Sequence, residues 1–299
     1  MNTKGSRQGD SEKASLLVVV LDTNPVFWTE RSLSGQNKLI SYENMLEQLF
    51  LFINNFLMFH SDNRFAFISN HPTDTKFLFP TGVIAEGDSQ VHFLSQIGMI
   101  REQLKSIVPM DSLTSQKSQF SAALSLALCY INRVKKAEVI SGRLDCRILV
   151  IQGTADSPAQ YIPMMNCIFS AQKINIIVDA CVLGLTESTF LQQATDLTGG
   201  LYLRLPEDSQ HVFLQYLLTV YLPDQAARGY LIIPTQTQVD FRASCFCHRN
   251  TIDTGYVCSV CLSIFCTAMS SCTTCHTKFD VPRLQKESRS KRNGKKATK

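Results

Sequence analysis

The sequence predicts an α/β protein with a doubly wound, mostly parallel sheet and one antiparallel edge, followed by a small cysteine-rich module. Three observations carry this. Apolar strands alternate with helical segments through residues 15–222. Two neighbouring strands lie too close together for a crossover helix. Seven of the eleven cysteines crowd into residues 245–275.

The elements follow in order. Leu16-Leu17-Val18-Val19-Val20-Leu21 is an unbroken aliphatic run ending at Asp22, which fits a central strand buried on both faces. Leu46, Leu49, Phe50, Ile53 and Leu57 fall at helical spacing between residues 42 and 60, one apolar stripe on a helix. Residues 64–69 and 76–79 read as two strands joined in a hairpin, the antiparallel edge. Helices are expected over 89–107 and 116–134, a buried strand over 147–152, and a helix ending near Ser170. Then come a strand over 173–178, a helix over 187–196 stopped by Gly199-Gly200, a strand over 201–203 and a helix over 210–221. Strands alternating with helices imply right-handed crossovers and a sheet covered on both faces. The expected organisation is a disordered leader (1–14), the α/β domain (15–222), a linker (223–243), the cysteine-rich domain (244–280) and a basic disordered tail (281–299).

The cysteines form two sets. Cys258-x-x-Cys261 and Cys272-x-x-Cys275 are two pairs at zinc-site separation, and Zn²⁺ takes four such thiolates tetrahedrally. Cys245, Cys247 and Cys266 make a second set of three, with His248 either its fourth donor or, if the module holds one ion, a surface histidine. The set interleaves with the first, as in cross-braced RING-type fingers. Whether the module holds one ion or two is left open: Cys247 and His248 are adjacent, which strains joint ligation. His276, beside Cys275, reads as solvent-exposed. Both sets leave no open coordination position, so the zinc is structural and not a Lewis acid. Cys129, Cys146, Cys167 and Cys181 stand singly in apolar stretches and read as small buried hydrophobes.

Composition excludes several classes. No apolar run reaches the length of a membrane span. Residues 1–15 lack the apolar core of a secretory signal, so the thiols are expected to stay reduced and available to metal. Residues 283–299 hold eight Lys or Arg against one Glu, +7 of a whole-chain +4, which leaves −3 on residues 1–282. Nucleic-acid contact is therefore expected to be weak at most, through the tail. There is no phosphate-binding Gly-x-x-x-x-Gly-Lys loop and no His-Glu-x-x-His pair, and no catalytic residues are expected.

The strand ending at Asp22, the hairpin at 64–79 and the strands at 148–152 and 174–178 resemble the von Willebrand factor A domain. The stretch Cys245-Phe246-Cys247-His248 through Gly255-Tyr256-Val257-Cys258-Ser259-Val260-Cys261-Leu262-Ser263-Ile264-Phe265-Cys266 is similar to one kind of TFIIH core subunit. That kind joins an A domain to a C-terminal C4 zinc finger and is the smaller of the two A-domain types. The resemblance implies a non-catalytic nuclear scaffold acting in RNA polymerase II transcription initiation and nucleotide excision repair. Its implied partners are other TFIIH core subunits, chiefly the larger A-domain/zinc-finger subunit. A RING-like ubiquitin-ligase adaptor is the alternative. Many A domains hold Mg²⁺ through Asp-x-Ser-x-Ser after the first strand. Here Asp22 and Asn24 stand at the first two places, but Val26 offers no oxygen. The motif is degenerate and no Mg²⁺ is expected; Asp22 instead caps a helix or anchors a loop.

Overall fold

The computed structural model describes residues 14–33, 39–80, 89–107, 118–137, 144–157, 160–234, 239, 241–248 and 251–279. The expected tail, and all but the last residue of the expected leader, lie outside them. The chain divides into two compact units, Met1–Val239 and Asp240–Lys299.

The first unit is built on a six-stranded sheet. Its elements run β1 (Ser15–Asp22), α1 (Pro25–Leu33), α2 (Tyr42–Phe59), β2 (Arg64–Asn70), β3 (Thr75–Phe79), α3 (Ser89–Ile107), α4 (Phe120–Ala137), β4 (Asp145–Gln152), α5 (Tyr161–Lys173), β5 (Ile177–Val182), α6 (Thr189–Thr198) and β6 (Tyr202–Arg204). Strand order is β3-β2-β1-β4-β5-β6, and only the β2–β3 pair is antiparallel. β1 sits between β2 and β4, with Val18 opposite both Ala66 and Ile148.

This central position explains the unbroken aliphatic run. Alternate residues of β1 serve opposite cores. Leu17, Val19 and Leu21 pack with Phe65, Phe67 and the α2 residues Leu49, Phe52 and Ile53. Leu16, Val18 and Val20 pack with Ile148, Val150 and the α4 residues Ala123, Leu124 and Ala127. A strand buried on both sides has no polar positions to show a period of two. Ser41 caps α2, its hydroxyl accepting from the Asn44 amide, and Gly199 ends α6 in the left-handed region at φ 72°.

Three expectations shift. The strand expected over 173–178 lies at Ile177–Val182, because α5 continues to Lys173 and Asp179 sits inside the strand. A buried carboxylate interrupts the apolar signal that marks a strand. The helix expected over 210–221 is wound in three pitches: a 3₁₀ turn (Glu207–Val212), a short α7 (Phe213–Tyr216) and a π turn (Leu217–Tyr221). Of the single cysteines, Cys146 and Cys181 are buried and Cys167 is half-buried, but Cys129 is exposed. Its neighbours Ala127, Leu128, Tyr130 and Ile131 take the inward face of α4.

Beyond the π turn the chain is tied back to the sheet. The Arg147 guanidinium, at the start of β4, donates to the carbonyls of Tyr221 (2.7 Å), Leu222 (2.9 Å) and Pro223 (2.9 Å). A further short helix, α8 (Gln225–Arg228), brings Arg228 onto Asp179 in a bidentate ion pair of 2.9 and 2.6 Å. Both partners are buried, and Asp179 also accepts the Leu201 amide at 2.8 Å. Planar guanidinium on carboxylate is the geometry in which burial of charge is best compensated.

The second unit contains two short antiparallel ladders, β7 (Ala243–Ser244) with β8 (Thr251–Ile252) and β9 (Tyr256–Val257) with β10 (Ile264–Phe265). Phe265 is its buried apolar centre, with Phe246, Met269 and Phe279 packed around it. So small a core needs a further constraint to hold it.

Candidate metal centres

Each Cys-x-x-Cys pair is closed by the same two backbone hydrogen bonds. The Cys258 amide donates to the Ser263 carbonyl and the Leu262 amide to the Cys258 carbonyl, both at 2.9 Å. The second pair repeats this: Cys272 to Thr277 at 2.9 Å, and His276 to Cys272 at 3.0 Å. The residue after each pair is left-handed, Leu262 at φ 61° and His276 at φ 59°. His is among the residues enriched in that region; a bulky aliphatic there is an outlier, strained by about 1–2 kcal/mol.

The turns bring four sulfurs together. Cys258 and Cys275 lie 3.6 Å apart and Cys261 and Cys272 3.5 Å apart, with all four donors within 4.8 Å of one another. Tetrahedral thiolates about 2.3 Å from a zinc ion would be separated by about 3.8 Å, so the set fits Zn²⁺. The Thr277 hydroxyl and amide hold the Cys275 thiol down to about 6, already toward the thiolate that metal requires.

Cys245, Cys247, His248 and Cys266 also converge, their donors within 4.8 Å of one another. Cys247 and Cys266 sulfurs are 3.3 Å apart, and His248 Nδ1 is 3.0 Å from Cys266 Sγ. Adjacency of Cys247 and His248 therefore does not keep both from one centre. The Phe246 amide donates to the Ile264 carbonyl at 2.8 Å, which sets the Cys245–His248 segment against β10, two residues before Cys266. Its hydrogen bond with Cys247, then burial, pushes the Cys266 thiol up to about 11. The two sets alternate along the chain, and His276 is exposed and belongs to neither.

The crevice at the end of β1 is different. Asp22 is fully buried, and both its oxygens are engaged. One accepts the Gly153 amide (3.0 Å), the Thr154 amide (2.8 Å) and the Thr154 hydroxyl (2.7 Å). The other accepts the Asn24 amide (3.2 Å) and the Ser118 hydroxyl (3.4 Å). Burial raises its pKa, and the bonds from Thr154, Gly153 and Asn24 oppose the rise. Asn24 turns its side-chain oxygen to the Val26 amide at 3.0 Å, capping α1 with Pro25 in the first turn.

The Phe27 ring lies on Gly153 so closely that a Cβ there would fall 2.2 Å from it. Asp156, the nearby carboxylate, accepts from Gln152 Nε2 (3.1 Å), Ser188 Oγ (2.6 Å), Thr189 Oγ1 (3.3 Å) and the Phe190 amide (3.1 Å) at the start of α6. Sequence reasoning missed Phe27, Ser118 and the Thr154 donors; Pro25 behind a capping Asn24 was the one signal that α1 begins there.

The six-stranded order with a single antiparallel edge, joined in sequence to two interleaved cysteine sets, defines the class: a von Willebrand A-type domain carrying a small zinc-compatible module. The chain belongs to the Tfb4 family, matching "Transcription factor Tfb4" over residues 14–276. It is 40% identical over 287 residues to the Schizosaccharomyces pombe protein named General transcription and DNA repair factor IIH subunit tfb4, covering 93% of each chain. The Arabidopsis thaliana protein of that name, subunit TFB4, is 37% identical over 289 residues, covering 92% of each. Among solved structures, the TFIIH p34 N-terminal domain is similar at 29% identity and a TM-score of 0.57, covering 69% of this chain and 97% of that one.

Proposed function

We propose that the protein is a non-catalytic structural subunit of the TFIIH core, acting in RNA polymerase II transcription and nucleotide excision repair through protein–protein contacts. The observation that carries this is the closure of the candidate metal positions among the described residues. Four protein donors converge on each cysteine centre, leaving no place for a reacting water. The Asp22 carboxylate, where A domains can bind metal, has five hydrogen-bond donors around it. Family membership supports the assignment to TFIIH and a nuclear setting. The names of the two relatives reported above do not favour the ubiquitin-adaptor reading.

Two zinc ions are proposed, one at Cys258, Cys261, Cys272 and Cys275, the other at Cys245, Cys247, His248 and Cys266. The principal partner proposed is the larger A-domain/zinc-finger subunit, and the basic tail adds only weak attraction to phosphate. Co-expression of the full chain with the TFIIH core subunits, followed by purification and elemental analysis, tests the reading. A stoichiometric complex with about two zinc ions per chain is expected. Failure of the chain to join the complex would sink it.

A further inference from the structure

The turn around the first Cys-x-x-Cys pair presents an apolar surface that its own unit does not cover. Tyr256, Val257, Val260 and Leu262 are 47%, 57%, 65% and 69% exposed. Four large apolar side chains thus project within seven residues. From Thr254 to Thr277 the sequence contains no Asp, Glu, Lys or Arg. Depletion of charge around exposed aromatic and aliphatic groups marks the centre of a protein interface rather than an ordinary surface.

Leu262 adds a second, independent observation. It occupies a left-handed position that glycine fills without strain, and its side chain points into solvent. His276, at the equivalent place after the second pair, is a residue that tolerates this conformation. The turn needs the backbone conformation and the Leu262 amide, which donates to the Cys258 carbonyl, but not an aliphatic side chain that stands 69% exposed; a partner would supply its burial.

We propose that Tyr256, Val257, Val260 and Leu262 form a knob that inserts into an uncharged apolar cleft on another protein subunit of the assembly. This rests on the structural-subunit reading above and specifies the surface by which the finger grips. Nucleic acid does not fit the knob: it offers no cation to phosphate, and thiolates around zinc would leave each centre net negative.

The test uses the full chain co-expressed with the TFIIH core subunits. Leu262→Gly removes the knob's tip while relieving strain, so the finger keeps its zinc and its fold. Val260→Ser serves as a second variant at a position without positive φ. Wild type retained, with both variants zinc-loaded but held roughly tenfold or more weakly in salt and dilution washes, is the expected result. Equal retention of zinc-loaded variants overturns the proposal, while failure of wild type to join the complex sinks the underlying reading instead. Sedimentation of the chain alone covers the remaining occupant. A dimer that both variants abolish would mean that the knob meets a second copy, and would overturn the proposal as well.

Discussion

The Asp22 crevice and the Cys258 centre both gather metal-ligating side chains, but only at Cys258 do four of them face one another. At Asp22 the fold supplies three amides and two hydroxyls to a single carboxylate. At Cys258 four sulfurs face one another, with the Ser263 and Thr277 hydroxyls and the Thr274 and Cys275 amides as further partners. Ligand type is therefore not sufficient for a metal site. Several donors must also face one common point, as the four sulfurs do within 4.8 Å of one another, so that an ion completes them.

The largest expected effect breaks the finger's side of the contrast. Changing Cys258→Ser with Cys261→Ser removes two ligands of the first centre. Loss of that zinc, worth on the order of 10 kcal/mol of folding in small modules, should unfold the finger while the A-type domain keeps its melting transition. Differential scanning calorimetry would separate the two, and an intact finger transition would show that metal is not what holds it. Next comes Cys266→Ser, which should lower zinc from about two to about one per chain, as measured by elemental analysis. Two ions retained would dismiss the second centre.

Asp22→Ala addresses the crevice. It strands the Gly153 and Thr154 amides and the Ser118 and Thr154 hydroxyls, so a loss of about 3–5 kcal/mol is expected in urea unfolding, whether or not Mg²⁺ is present. A loss appearing only with Mg²⁺ present would mean the carboxylate binds metal after all. The smallest effect is Val26→Ser, which restores a missing motif oxygen. Thermal melting should gain nothing from millimolar Mg²⁺, since Asp22 stays engaged and Phe27 stays on Gly153. A Mg²⁺-dependent rise would erase the distinction between the two sites.

The same contrast explains what the sequence could reveal. β1 and β4 were legible because burial on both faces leaves an unbroken aliphatic run. The cysteine sets were legible because Cys-x-x-Cys geometry is local. β5 was misplaced by four residues because Asp179, charged in sequence, is neutralised by Arg228 forty-nine positions later. The closure of the crevice was half legible. Val26 declared the motif incomplete, but two of the donors that engage Asp22 are backbone amides more than 130 residues away, and amides leave no mark in a sequence. α1 was missed because its buried face rests on few residues, Trp28 and Pro25.

The ties made by Arg147 and Arg228 also set a load path. Tension applied to the chain beyond Pro234 would first meet the Arg228–Asp179 pair and then the carbonyls gripped by Arg147. Force therefore enters the domain at β5 and β4, two interior strands of the sheet, in place of peeling away the terminal helical turns one by one. Parallel strands flanked on both sides resist such shear together. The domain is thus arranged to behave as a firm anchor when something pulls on its C-terminal exit.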